Sequence, residues 1–293
     1  MAADRDPAPD CSTNAAQAEY WNSAPGRRWI DCQAALDQRF APLTEVLMGR
    51  ASAGPGECAI DIGSGTGTTT LRLAQAVGAH GSVLAIDISE PLLAVARRRC
   101  LQGGHANVRL IRADAQTHRF ERGCHDLALS RFGVMFFDDP VAAFANLRRA
   151  LRRGGRLAFA CWGRLDDNPW FKIPLEVGIQ RLGPPEPQEP RAPGPLALAE
   201  PDYVEEILGA AGFPTVAIDR VDTWLPGARS AREEADLLSL VGSLPRLMRE
   251  RGADEAMRLT LVRDLADRLA PYATADGVRL PAAYHLVTAI APG

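Results

Sequence analysis

Three carboxylates and one glycine loop carry the chemical signal in this chain. Asp61, Asp87 and Asp114 each stand at or just past the end of a short apolar run, in residues 58–62, 81–87 and 108–113. Directly after the first run comes Gly63-Ser64-Gly65-Thr66-Gly67. Glycines at alternate positions strip side chains from a turn and permit positive φ, so a ligand can approach the backbone closely. A dinucleotide loop of the form G-x-G-x-x-G needs its third glycine at position 68, which is Thr68 here, and places a pyrophosphate on the following helix. Asp61, just ahead of this loop, repels a phosphate and suits a cationic ligand. At the end of the second run, Asp87 is placed to accept hydrogen bonds from the hydroxyls of a ribose. Its alternative is a solvated acid at a strand end.

The elements that must position these groups follow from periodicity. Cys58 to Ile62 reads as a buried parallel strand, and residues 68–77, with Leu71, Ala74 and Val77 at helical spacing, as the helix after it. Residues 81–87 form a second strand, followed by a helix with Ser89 at its cap and Pro91 in its first turn. Residues 108–113, 126–130 and 156–161 supply strands three to five. Asp139 ahead of Pro140 starts a helix that buries Val141, Phe144 and Leu147. Strand and helix alternate through this stretch, which is the pattern of a doubly wound α/β sheet. Such sheets bind ligands at the carboxyl ends of their strands. Three successive strands here end in an acid at that edge.

Asp61-Ile-Gly-Ser-Gly-Thr-Gly67, Asp87 and the Asp114-Ala115 pair together resemble the cofactor motifs of the class I methyltransferases that use S-adenosylmethionine. The resemblance covers roughly residues 29–162 and is loose beyond. It implies a Rossmann-like sheet of seven strands, mostly parallel, whose last strand runs antiparallel between the fifth and sixth. It also implies that Asp114 accepts a bond from the adenine amino group, beside Ala115, and that Ile88 lies against the adenine. The segment 130–137 is similar to that of quinone-biosynthesis and related small-molecule methyltransferases, where it borders the methionine part of the cofactor and the acceptor. The cofactor set implied is Asp61, Gly63, Ser64, Gly65, Gly67, Asp87, Ile88, Asp114, Ala115, Ser130 and Trp29. S-adenosylmethionine would be consumed and S-adenosylhomocysteine released. The alternatives are a nicotinamide-dependent reductase, disfavoured by Thr68 and Asp61, and a non-catalytic subunit that binds S-adenosylmethionine.

Around this core, residues 1–14 read as a disordered tail, residues 15–50 as a helical lid and residues 51–162 as the cofactor-binding unit. Residues 163–293 complete the same domain with an acceptor-site insertion, the remaining strands and a helical cap. From Trp29 to Leu47 apolar residues recur at helical spacing, with a bend near Pro42. Tyr20, Trp21 and Trp29 either roof the ligand site or seal the sheet. With Arg131, Phe132, Met135, Trp162 and Trp170 they are candidates for an apolar acceptor pocket. Arg131 could hold an acceptor or cofactor carboxylate, or pair at the surface. Residues 183–195 hold too many prolines for a helix or central strand, and composition favours a mobile flap. Asp202 reads as the cap of a later helix, 215–223 and 281–290 as the last two strands, and 232–269 as two or three helices of the cap.

Composition narrows the partners. The chain has 293 residues, 46% of them hydrophobic, and a formal net charge of −3, which gives no global attraction to nucleic acid or an anionic membrane. The six cysteines form no C-x-x-C pair, and no run is long enough to span a bilayer. These features fit a cytoplasmic protein acting on a small-molecule acceptor. No metal-ligand spacing, nucleophile elbow or P-loop lysine is present, Lys172 being the only lysine. His80, His105 and His125 lie at the wrong sheet edge, His118 in a polar loop, and His285 reads as a packed or edge residue of the last strand. Methyl transfer from a sulfonium asks mainly for alignment and exclusion of water, so a missing base does not exclude it.

Overall fold

The computed structural model describes residues 14–187 and 189–292, so the reading of residues 1–13 as a disordered tail lies outside it. Asn14, which that reading included, is instead a buried residue.

The chain opens with three helices, α1 (Ala15–Asn22), α2 (Ala24–Asp31) and α3 (Gln33–Ala51). Pro42 lies inside α3, and the chain breaks at Cys32. Leu36, Phe40, Leu43 and Leu47 turn inward from α3 and are at most 2% exposed, as their spacing dictates.

The alternating core follows: β1 (Cys58–Ile62), α4 (Thr68–Val77), β2 (Ser82–Asp87), α5 (Glu90–Gln102), β3 (Val108–Arg112), β4 (His125–Arg131), α6 (Pro140–Ala150) and β5 (Leu151–Trp162). The Ser89 hydroxyl accepts the Leu92 N–H at the start of α5, and the Asp139 carboxylate accepts the Ala142 N–H at the start of α6. Strand β5 begins five residues earlier than its periodicity suggests. It carries Gly154 and Gly155 through a register shift against β4, a bulge in the strand.

Beyond β5 come α7 (Pro169–Leu182), α8 (Pro201–Ala210), β6 (Val216–Pro226), α9 (Ala231–Leu238), α10 (Ser243–Glu250), α11 (Glu255–Leu269), the two-residue β7 (Ala273–Thr274) and β8 (Gly277–Ile290). Asp202 sits in the first turn of α8 rather than at its cap, which is Glu200. Gly194 donates to the Met135 carbonyl at 3.0 Å, and Leu198 and Ala199 are buried.

The main sheet has the order β3-β2-β1-β4-β5-β8-β6, with β7 paired only to β8. β1 pairs in parallel with β2 and β4, β2 with β3, and β4 with β5, whereas β8 runs antiparallel to both β5 and β6. This is the doubly wound, Rossmann-like arrangement with one reversed strand. Ala59 to Ile62 of β1 are all buried, as a strand covered on both faces must be.

The cap α9–α11 is anchored to the lid helix α3 by one ion pair. Arg39 donates to both carboxylate oxygens of Glu234 at 2.6 Å, and the two side chains are 1% and 0% exposed. Removing either partner leaves a buried charge alone, which costs about 3–5 kcal/mol. Arg39→Met and Glu234→Gln are therefore expected to lower unfolding free energy in urea by that order, and the double variant Arg39→Met/Glu234→Leu to recover most of the loss. Losses that simply add in the double variant would contradict the pairing.

Candidate active site

The crevice begins where β1 and β2 end. Asp61 is aligned with Ala85 and Ile62 with Ile86, so Asp61 lies one residue inside the tip of β1 while Asp87 ends β2. Gly63 and Ser64 both donate to the Ile86 carbonyl, at 2.9 and 3.1 Å, which folds the loop across the head of β2. The Gly65 amide then meets Asp87 Oδ2 at 2.7 Å, and the Ser89 amide meets Asp87 Oδ1 at 2.8 Å. One carboxylate thereby fixes both the loop and the start of α5. Asp87 is 8% exposed, and burial pushes its carboxyl up to about 6 against the hydrogen bonds that favour its charge.

Asp61 does not face the crevice. It is wholly buried and accepts the hydroxyls of Thr69, at 2.8 and 3.0 Å, and Thr70, at 2.5 Å. It therefore ties β1 to the first turn of α4, behind the loop. Desolvation pushes its carboxyl up to about 6. Ser130 likewise turns away: its hydroxyl donates to the Ile62 carbonyl at 2.8 Å and accepts the Gly133 amide at 3.1 Å. These bonds bring Gly133 so close to Gly63 that a Cβ on Gly63 would stand 2.7 Å from the Gly133 Cα, which is why side chains are excluded from both.

Over Gly65 the situation is the reverse. A Cβ there would meet nothing within 4 Å, so the loop's middle faces open space. Beside it the Ser64 hydroxyl is buried with no hydrogen-bond partner in the protein. An unsatisfied hydroxyl next to an open cradle is what a loop made to receive a polar ligand presents. Gly67, at the cap of α4, packs instead against Ala96 of α5, 3.0 Å from its virtual Cβ.

At the third strand, Asp114 is 5% exposed and accepts the Gln116 amide at 2.9 Å. Its other oxygen accepts the Asn14 carboxamide at 2.8 Å, and Asn14 in turn accepts the Asp138 amide at 2.9 Å. Ala115 is buried, with its carbonyl bound by Asn146 at 3.0 Å. Ile88 is half-buried, and its carbonyl accepts Asn22 at 3.0 Å. The lid is stitched on nearby by Ser89 donating to the Trp21 carbonyl at 2.8 Å. Asn14, Asn22 and Gln116 thus bind the candidate residues Asp114 and Ile88, although sequence reasoning passed over them. Isolated polar side chains have no period, and their partners lie up to 124 residues away.

The aromatic candidates divide into two groups. Trp21 is packed edge-on against Tyr20, Trp29 and Phe136 at 5.3, 5.8 and 5.4 Å between ring centres. This group joins the lid to the segment after β4. Phe132 stacks on Trp162 at 4.1 Å, and Phe40, Trp170 and Phe171 pack around them. Phe132 holds φ +67°, a conformation costly for a side chain of this size and common at functional sites. Trp162, Trp170 and Met135 are at most 3% exposed, so they back the site rather than line it. Arg131 donates to Thr44 of α3 at 2.7 Å and lies over the Phe40 ring.

A strand-end crevice with this loop, these acids and one reversed strand defines a Rossmann-like methyltransferase fold. Residues 59–155 match the family model of the methyltransferase domain. Over that stretch the chain is similar to a methyltransferase domain. Over 120 residues it is 34% identical to the aklanonic acid methyltransferase DauC of Streptomyces sp. (strain C5), covering 41% of this chain and 54% of that protein. Over 103 residues it is 35% identical to the ubiquinone/menaquinone biosynthesis C-methyltransferase UbiE of Marinomonas sp. (strain MWYL1), covering 35% and 41%. The matches span about half or less of these relatives. The YcgJ protein of Bacillus subtilis has a similar fold, with a TM-score of 0.56 at 14% identity over 86% of this chain and 99% of that one. Among the described residues no helix is long and apolar enough to cross a membrane.

The raised carboxyls at Asp61 and Asp87 set a sign for stability. In the folded chain each holds its proton up to about 6, whereas unfolded it releases it near 4. Folding therefore binds protons in that window, and stability contributed by these groups falls as pH rises from about 4 to about 6. Relative to the parent chain, Asp61→Asn is expected to gain on the order of 1–3 kcal/mol between pH 4 and pH 7 in urea unfolding. A difference that stays constant with pH would rule out a titrating Asp61.

Proposed function

We propose that this chain transfers a methyl group from S-adenosylmethionine to a small-molecule acceptor with a largely apolar body. The observation that carries the reading is the conjunction at the crevice: an open glycine cradle at Gly65, an unpartnered buried Ser64 hydroxyl and the Asp87 carboxylate bonded to that same loop. The names of the relatives, an aklanonic acid methyltransferase and ubiquinone/menaquinone C-methyltransferases, support a small molecule as acceptor.

When bound, S-adenosylmethionine supplies an electrophilic methyl carbon: the acceptor's lone pair forms the new bond, the C–S electron pair stays on sulfur, and any acceptor proton passes to solvent. The chain's own residues bind and orient. Asp87 would accept the ribose hydroxyls while keeping its bonds to Gly65 and Ser89, since each carboxylate oxygen has a further lone pair. Gly63, Ser64 and Gly65 would border the methionine part, and Asp114 with Ala115 the adenine. Asp61 acts behind the loop by holding the start of α4, and Ser130 by holding Gly133 against Gly63. Trp21 and Trp29 close the crevice against water, which strengthens every charge interaction inside it.

Thr68 argues against a dinucleotide in this loop. Its hydroxyl donates to Asp37 of α3 at 2.6 Å and accepts Arg99 of α5 at 3.1 Å. A side chain held there occupies the place where a pyrophosphate-binding loop has its third glycine.

Isothermal titration with S-adenosylhomocysteine provides the test. Asp87→Ala is expected to weaken binding by about 1–3 kcal/mol, the loss of charge-assisted bonds to the ribose, and Gly65→Val to abolish it with an unchanged circular dichroism spectrum. Tight binding of NADH with no response to S-adenosylhomocysteine would overturn the reading. Because Asp87 titrates near 6, affinity for S-adenosylmethionine should also fall as pH is lowered from 7 to 5.

A further inference from the structure

Between the lid and the cap lies a groove of about 640 Å³, walled on one side by α1 and α2 and on the other by α10 and the residues flanking it. That volume is in the range of small-molecule sites, roughly 300–1,000 Å³. Its floor is apolar, with Tyr20, Pro25, Leu240 and Met248, and three guanidinium groups meet there, from Arg28, Arg249 and Arg258. Arg258 is neutralised by Glu255 at 2.7 Å and Asp236 at 3.6 Å. Arg28 and Arg249 have no carboxylate partner among the described residues, and the Arg249 guanidinium lies 5.3 Å from the centre of the Tyr20 ring. Glu19 is the single acid in the lining. Elsewhere this chain pairs its arginines freely, as at Arg72, Arg97, Arg156 and Arg220, so two unmatched cations facing one apolar groove mark a local positive excess.

We propose that this groove binds a planar organic anion, and that it receives the charged end of the methyl acceptor. The second clause rests on the methyl-transfer reading; the first does not. A guanidinium offers paired N–H donors in a plane, which matches a carboxylate or phenolate oxygen pair, and the Tyr20 ring beside Arg249 offers a face for a flat ring. The groove also communicates with the crevice. Tyr20 packs on Trp21, which touches Phe136 in the segment after β4 and whose carbonyl is bound by Ser89. One aromatic side chain therefore links an occupant of the groove to both the lid and the strand-end site.

The probes are 2-naphthoate and its neutral counterpart 2-naphthol, titrated calorimetrically at pH 7 and low salt into the full chain with and without S-adenosylhomocysteine. The groove should bind 2-naphthoate more tightly than 2-naphthol. Arg28→Gln and Arg249→Gln should each weaken 2-naphthoate about tenfold, the loss expected for a charge-assisted bond, and leave 2-naphthol unchanged. Both side chains are exposed and glutamine keeps helix propensity, so folded variants are expected, and circular dichroism verifies them. Equal binding of the two probes, no binding of 2-naphthoate, or 2-naphthoate binding untouched by both substitutions overturns the proposal. Binding of 2-naphthoate with no binding of S-adenosylhomocysteine leaves the anion site standing and removes the methyl-transfer reading instead.

Discussion

The bond from the Gly65 amide to the Asp87 carboxylate is the contact on which the rest of the site depends. A loop with alternate glycines has little conformational preference of its own, and each glycine loses more freedom on ordering than any other residue. Something must hold it. A buried carboxylate needs donors, and the nearest free donors are the amides of that loop and of the following helix start. Each need satisfies the other: Asp87 gains Gly65 and Ser89, and the loop gains a fixed shape with its open face outward.

The same exchange recurs along the rim with different partners. Asp61 is satisfied by two threonine hydroxyls and is lost to the interior, while Asp114 is satisfied by Gln116 and by Asn14 from the lid. The three acids therefore have graded roles. One anchors a helix, one shapes the loop, and one ties down the segment entering α1. A further network, from Asp37 of α3 to Thr68 and Arg99, carries the lid's position into the same loop. Lid and glycine loop are thus joined by side-chain bonds, and the Arg39–Glu234 pair extends the connection to the cap.

The aromatic residues follow the same logic of layers. Rings that a linear reading groups as one acceptor pocket separate into a group around Trp21 and a backing cluster around Phe132, Trp162 and Trp170. Within the first group, Tyr20 also lines the groove between lid and cap.

Much of this molecule could be read from residues in a row. The first strand and the helix after it have the bounds that apolar spacing indicates, and the Ser89 and Asp139 caps and the three cap helices lie where local rules put them, because each depends on neighbours within a few positions. The glycine loop and the ordering of acids along one rim are legible for the same reason: strands that alternate with helices must all end at one edge. What a carboxylate faces is not a local property. That Asp61 and Ser130 turn inward, that Asn14 belongs to the site, and that Arg131 is spent on α3 were decided when segments up to 124 residues apart met. A side chain's partner is chosen by three-dimensional proximity and by the cost of leaving a buried polar group unpaired, and neither quantity has a signature along the chain.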